Sequence, residues 1–119
     1  MKHLPIVDES QIQRLQEWGG TDLQCKMIDL FLAHAGERVD QIREGLWAPD
    51  RKAAETGAHT LKSSAGNVGA RRLQQLASEA ESMAEAGKMG ELQELFPALE
   101  EEFRSACEVL GTVREGLSQ

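Results

Sequence analysis

The chain has 119 residues, enough for one domain that buries roughly 65% of the surface its unfolded chain exposes. Twenty acidic residues against thirteen basic residues give a formal net charge of −7, which argues against nucleic acid and anionic membranes as partners. No apolar run approaches the ~20 residues needed to span a bilayer, so we expect a cytoplasmic protein. We also expect one domain over residues 1–119, and a monomer.

Strand signals are absent, because β-branched residues are scattered and never alternate over a useful length. The composition and pattern therefore predict an all-α fold. The two cysteines, Cys25 and Cys107, both lie inside helical patterns. They are typical of small core or boundary residues in a reduced compartment, although a disulfide joining two helices remains geometrically possible.

The first predicted element is a short helix that follows an extended lead-in over residues 1–7. Asp8 or Ser10 can cap its N-terminus. The pair Gly19-Gly20 ends it, because glycine adopts left-handed backbone at the lowest cost. The lead-in also lacks the apolar core of a signal peptide.

A second, long helix is predicted from Thr21, which forms a capping box with Gln24, to about Trp47. Its apolar residues recur at spacings of four and three, at Ile28, Leu32, Ala35, Val39, Ile42 and Leu46. Phe31 and Met27 widen this stripe. Leu23 and Leu30 fall on nearly the opposite side. Either the first helix covers them or they form part of a partner-docking patch.

Three more helical stretches complete the pattern. The third helix is predicted over about residues 50–67 and the fourth over about 70–86. The last stretch shows helical spacing at Leu92, Leu95, Leu99, Phe103, Ala106, Leu110, Val113 and Leu117. One long helix fits it, with Pro97 either kinking the helix or starting its main part. Together these elements predict an antiparallel up-down-up-down four-helix bundle with a short extra N-terminal helix.

The third helix presents one histidine to solvent. Its apolar stripe consists of Ala54, Ala58, Leu61, Ala65 and Val68. At about 100° per residue, His59 lies roughly 200° from Leu61 and points away from this stripe. Lys62, Ser63 and Gly66 return to the face of His59. A histidine beside a cation, a hydroxyl and a patch of little bulk suits a nucleophile that a large partner must reach.

The same stretch resembles the signature of histidine-containing phosphotransfer (HPt) domains, which reads His-x-Leu-Lys-Gly-Ser-(four residues)-Gly-Ala. Six positions match, namely His59, Leu61, Lys62, Ser64, Gly69 and Ala70. Ser63 stands where the family usually has glycine. Because serine is also small, a partner should still be able to approach the histidine closely, with slightly less space than glycine would leave. The resemblance extends to Leu30-Phe31-Leu32, to residues 46–50 and to Glu81, which matches a common acidic position.

This resemblance implies a phosphorelay intermediate. His59 would reversibly accept and donate a phosphoryl group from and to the aspartate of receiver domains, in response regulators or hybrid sensor kinases. The sequence has no phosphate-cradling glycine loop and no carboxylate cluster beside the histidine. The chain is therefore expected to have no ATP site of its own. It would be a phosphotransfer intermediate rather than an enzyme. It would need no cofactor of its own, since the receiver brings Mg²⁺.

By the same resemblance, His59 is the phosphoacceptor and Lys62 and Ser63 assist it. Lys62, on the same face, would neutralise phosphate oxygens. Ser63 or Ser64 would donate a hydrogen bond, although Ser64 leans towards the interior and can bond to backbone instead. The docking face would be centred on the histidine and use neighbouring surfaces of the second and third helices. The residues assigned to it are Thr56, Ser64, Gly66, Arg71 and Arg72.

A helical adaptor without catalytic function, which binds a signalling partner through the same face, is the main alternative. A dimerising phosphoacceptor domain of a histidine kinase fits less well, because Thr60 is not the acidic residue which that family places after its histidine. A hydrolase is not expected either, because the sequence shows no set of nucleophile, base and orienting residue. A metal site is not expected, since His3, His34 and His59 lie on different elements.

Overall fold

Four α-helices joined by turns of three residues make up the part of the chain, residues 3–117, that a computed structural model describes. They are α1 (Glu9–Trp47), α2 (Arg51–Asn67), α3 (Arg71–Glu85) and α4 (Met89–Leu117). Such short turns make consecutive helices antiparallel. Because α2 packs on α1 and α3, and α4 packs on α3 and α1, the helices close into a bundle. The predicted all-α, up-down-up-down architecture is confirmed, and no strand occurs among these residues.

The predicted short N-terminal helix is the first part of α1. Gly19 and Gly20 depart from helical backbone, Gly20 with φ 71°, so the chain kinks there, but helix continues on both sides. Asp8 caps α1 as predicted, since its carboxylate accepts from the backbone N–H of Ser10 at 3.0 Å. The predicted capping box is wrong, because the Gln24 amide nitrogen donates instead to the carbonyl of Ile12, at 3.0 Å. That bond ties the two parts of α1 together.

The core forms from the inward faces of all four helices, and α2 contributes every residue of its predicted stripe: Ala54, Ala58, Leu61, Ala65 and Val68. In α1 the prediction is partly wrong. Phe31 is buried, as its place on the widened stripe predicts, whereas Leu32 is 37% exposed. Leu23 is half-buried, whereas Leu30 is 45% exposed, so the N-terminal part of α1 does not cover Leu30 as expected.

Two glycines allow α1 and α2 to approach closely. A Cβ atom on Gly45 would lie 2.8 Å from the backbone nitrogen of Ala54, and one on Gly57 would lie 3.1 Å from the carbonyl oxygen of Arg38. No apolar pattern in the sequence indicates either position. Because backbone atoms stand in these positions, the helices touch there with no side chain between them.

The remaining elements agree with the predicted pattern in most respects. The lead-in has no regular secondary structure over its described residues 3–7 and bends at Ile6 and Val7, and residues 1 and 2 lie outside the described part. Pro97 lies inside α4, eight residues after its start. Cys25 and Cys107 are half-buried free thiols, and burial raises the pKa of Cys107. None of the described helices has an apolar stretch long enough to cross a membrane.

Candidate functional site

His59 lies on the solvent side of α2, at the middle of the helix. Its side chain is 61% exposed, while its neighbours Ala58 and Leu61 are fully buried. The helical period that buries these two residues carries His59 out to solvent. The predicted orientation of the imidazole is therefore confirmed.

A carboxylate of α3 connects His59 with Lys62. Glu81 Oε2 lies 2.7 Å from His59 Nδ1, and Glu81 Oε1 accepts a hydrogen bond from Lys62 Nζ at 2.6 Å. An ionised carboxylate can only accept hydrogen bonds, so this contact requires a hydrogen on Nδ1 of the imidazole. One acidic group thus fixes both basic side chains, and we refer to His59, Lys62 and Glu81 as the site cluster.

The electrostatics of the site cluster keep Glu81 ionised. The hydrogen bond from Lys62 is the largest cause that lowers the pKa of Glu81, and the hydrogen bond from His59 acts in the same direction. Burial of the carboxylate opposes them, because it disfavours the charged form. The Glu81 side chain is 18% exposed and that of Lys62 is 33% exposed. Charge-assisted bonds at this depth are screened less than those on the open surface.

The predicted residues of α2 occupy two different surfaces. Ser63 and Thr56, one turn to either side of His59, are exposed like the histidine. Ser64 is half-buried and faces α1. It lines a groove between α1 and α2 that has a volume of about 260 Å³, formed by Met27, Leu30, Phe31, His34, Ala35, Arg38, Thr60, Ser64, Asn67 and Val68. The exposed Leu30 therefore belongs to this groove.

The two arginines assigned to docking have partners inside the molecule. Arg71 Nε lies 3.2 Å from Asp8 Oδ2, and Arg71 also donates to the side chain of Gln74 at 2.9 Å. Arg72 Nε donates to the carbonyl of Leu4 at 2.6 Å. Both side chains thus hold the N-terminal segment against the start of α3.

Two glycines near the end of α2, Gly66 and Gly69, lie against neighbouring parts of the chain. A Cβ on Gly66 would lie 2.8 Å from the amide nitrogen of Gln74. Gly69 has φ 74°, and a Cβ there would lie 2.8 Å from the carbonyl oxygen of Asp8. The carbonyl of Gly69 also accepts a hydrogen bond from the backbone N–H of Asp8, at 2.7 Å. Left-handed backbone and the tight contact both require glycine at this position.

Glu81 is the site residue whose role the sequence did not reveal. The sequence indicates only that it is an acidic position shared with the family, and it lies 22 residues after His59 on another helix. Helical periodicity describes one helix at a time, so it cannot indicate which carboxylate of α3 faces which residue of α2. Within residues 3–117, no group of three or more His, Cys, Asp or Glu side chains could hold a metal ion.

The fold and the site together define a class of protein, a four-helix bundle domain that presents one exposed histidine beside an acid and a cation. The family model of the Hpt domain matches residues 26–111, which is more than half of the chain. The chain therefore belongs to the Hpt domain family, as its motif predicts.

Two relatives show how far the likeness extends. Histidine-containing phosphotransfer protein 5 of Arabidopsis thaliana is 31% identical over 67 residues, which are 54% of this chain and 43% of that protein. The match thus spans less than half the length of this relative. The crystal structure of histidine-containing phosphotransfer protein B (HptB) from Pseudomonas aeruginosa PAO1 superimposes with a TM-score of 0.87 at 26% identity. The superposition covers 95% of this chain and 97% of the HptB chain.

Proposed function

We propose that the chain is a phosphorelay intermediate of two-component signalling in which His59 carries the phosphoryl group. The observation that supports this most directly is the imidazole of His59, which faces solvent, is 61% exposed and is held by Glu81. The domain that carries it belongs to the Hpt family. Its surroundings contain a cation, Lys62, and the hydroxyl of Ser63. An exposed imidazole can be reached by the active site of another protein.

The chemistry is a transfer between two side chains. A neutral ring nitrogen of His59 attacks the phosphorus of a phosphoaspartate. A nitrogen–phosphorus bond forms, the acyl oxygen–phosphorus bond breaks, and the aspartate leaves as a carboxylate. Lys62 offsets the negative charge of the phosphoryl oxygens as a compact point charge. The reverse reaction returns the phosphoryl group to a second aspartate.

The partner supplies the rest of the phosphoryl-transfer site. Such reactions depend on positioning and on cations that stabilise the charge of the transferred group. The chain has no phosphate-cradling glycine loop in its sequence, so we assign ATP use to a sensor kinase and Mg²⁺ to the receiver domain. The chain itself is then a relay intermediate rather than an enzyme that turns over nucleotide.

The docking surface for the receiver is the exposed face of α2 together with the groove between α1 and α2. Thr56 and Ser63 flank His59, and Thr60 and Ser64 join that face to the groove. The groove offers the exposed apolar side chain of Leu30. A monomer of this chain presents both surfaces to one receiver domain at once.

Transfer from a radiolabelled, phosphorylated receiver domain tests the proposal. The wild-type chain should take up an acid-labile label, and His59→Gln should take up none while keeping its helical circular dichroism. His3→Gln is the matched control, because it removes another exposed histidine that lies outside the motif in sequence. If the wild-type chain binds receivers but takes no label from any of them, the alternative of a helical adaptor is correct.

A further inference from the structure

A second groove, between α2 and α3, begins at Lys62 of the site cluster and runs towards the start of α3. It has a volume of about 260 Å³ and is lined by Leu4, Lys62, Arg71, Gln74, Gln75 and Ser78. We refer to it as the α2–α3 groove. Among the described residues, its lining contains two cations and three more side chains with N–H or O–H donors, but no carboxylate. This composition contrasts with the net charge of −7 of the whole chain.

Two of the donors in the α2–α3 groove have no partner within residues 3–117. The side-chain amide of Gln75 and the hydroxyl of Ser78 make no hydrogen bond to any residue of this range. Gln75 is exposed and Ser78 is half-buried. Because residues three apart on a helix are neighbours on its surface, both donors lie on one face of α3. An acceptor from outside can therefore bond to both of them.

The cations lie at the two ends of the α2–α3 groove and keep donors for a ligand. Lys62 Nζ donates to Glu81 at 2.6 Å. Arg71 donates to Asp8 at 3.2 Å and to Gln74 at 2.9 Å. An ammonium has three N–H donors and a guanidinium has five, so these bonds leave further donors on both side chains. The two carboxylates hold the cations in place without using them up.

A partner centred on His59 covers this groove. A stable interface buries about 800 Å² on each protein, which corresponds to a patch with a radius of about 16 Å. Ser78 and Gln75 precede Glu81 on α3 by about 4.5 Å and about 9 Å along the helix axis. Glu81 in turn contacts the imidazole at 2.7 Å. Both donors therefore lie within a patch of that size.

We infer that the α2–α3 groove receives an acidic side chain of the docked receiver domain. Its carboxylate accepts hydrogen bonds from Gln75 and Ser78, between the two cations of the groove. A carboxylate fits because it only accepts hydrogen bonds, and bonds to an ionised acceptor are roughly twice as strong as those between neutral groups. Leu4 forms an apolar wall that reduces screening by water on one side. This inference rests on the proposed function and extends the docking surface to α3.

Changing one charge at Gln75 tests the inference, with the exposed Gln93 of α4 as the matched position outside the groove. The readout is the KM of transfer from a phosphorylated receiver domain that labels the wild-type chain. Gln75→Glu should raise this KM by about fivefold, the upper end of the effect of one partly exposed charge pair, and Gln75→Lys should lower it. Gln93→Glu and Gln93→Lys carry the same net charges and should keep KM near the wild-type value. If Gln75→Glu and Gln93→Glu have the same KM, the inference is overturned.

Removing the hydroxyl of Ser78 tests the groove without a change of charge. Ser78→Ala should raise the same KM by about threefold, as the loss of one hydrogen bond implies. Ser82→Ala is the matched control, because Ser82 is an exposed serine of α3 that does not line the groove. A KM for Ser78→Ala no higher than that of Ser82→Ala would contradict the assigned role of the hydroxyl.

Phosphoramidate, a small donor that needs no docking surface, separates docking from the transfer itself. Gln75→Glu and Ser78→Ala should take up label from it at the wild-type rate. Slower labelling of these variants contradicts the inference, because the groove would then act on the transfer step, and leaves the proposed function intact. A wild-type chain that takes no label from phosphoramidate or from receivers would instead overturn the proposed function.

Discussion

Replacing Gly45 by alanine tests whether the close contact between α1 and α2 positions the helix that bears the histidine. Gly45 is buried near the end of α1. An added Cβ would lie 2.8 Å from the backbone nitrogen of Ala54 and 2.9 Å from the carbonyl oxygen of Asp50. Asp50 caps α2, since its carboxylate accepts from the N–H of Ala53 at 3.1 Å. The substitution therefore presses on the first turn of α2.

Two opposing effects set the size of the change. Alanine is favoured over glycine inside a helix by about 0.5–1 kcal/mol. Overpacking a close contact costs about 1–3 kcal/mol, and backbone atoms cannot move aside as a flexible side chain can. The free energy of unfolding should thus fall by about 1–2 kcal/mol. At about 2.1 cal/mol/K per residue for the unfolding entropy, each kcal/mol lowers the Tm of a chain this size by about 4 °C.

Thermal unfolding followed by circular dichroism measures this effect, with Gly111→Ala as the control. Gly111 lies inside α4 with no atom within 4 Å of an added Cβ, so the same substitution should raise the Tm by about 2–4 °C. Gly45→Ala should lower it by about 4–8 °C. A Tm for Gly45→Ala at or above that of the wild-type chain would refute the close-packing argument.

Three further results are expected. The pKa of Glu81 is lowered in the folded chain, so its stabilisation is present above the ordinary pKa of glutamate and is lost as the pH falls through the folded value. Denaturant unfolding should therefore show Glu81→Gln destabilised by about 1 kcal/mol at neutral pH and by progressively less as the pH falls below the ordinary pKa of glutamate. Lys62→Ala should slow transfer from a phosphorylated receiver by about fivefold without unfolding the chain, as one partly exposed ion pair implies; unchanged kinetics would remove Lys62 from the site. Gly66→Ala should leave both the Tm and the transfer rate nearly unchanged, because the side chain of Gln74 that an added Cβ would meet can move aside. Slower transfer at an unchanged Tm would place Gly66 in contact with the partner.

The burial of α1 shows where helical periodicity stops being informative. Phe31 and Leu32 both fit a spacing of three or four from Ile28, and only the positions of the neighbouring helices decide that Phe31 is buried. Gly45 lies on the buried face although it contributes no apolar side chain. A pattern of apolar residues cannot find it, because its role is to let two backbones meet.

The sequence by itself determined the helices, the bundle and the outward orientation of His59, because the face that a residue occupies depends only on the helical repeat and on apolar residues of the same helix. The tertiary structure alone decided that Glu81 faces His59 and Lys62. That contact depends on the rotation and offset of α3 against α2, which are set by how the buried faces of the two helices pack. The position of a histidine on its helix is thus a local property, whereas the partner that orients its ring is a property of the packed bundle.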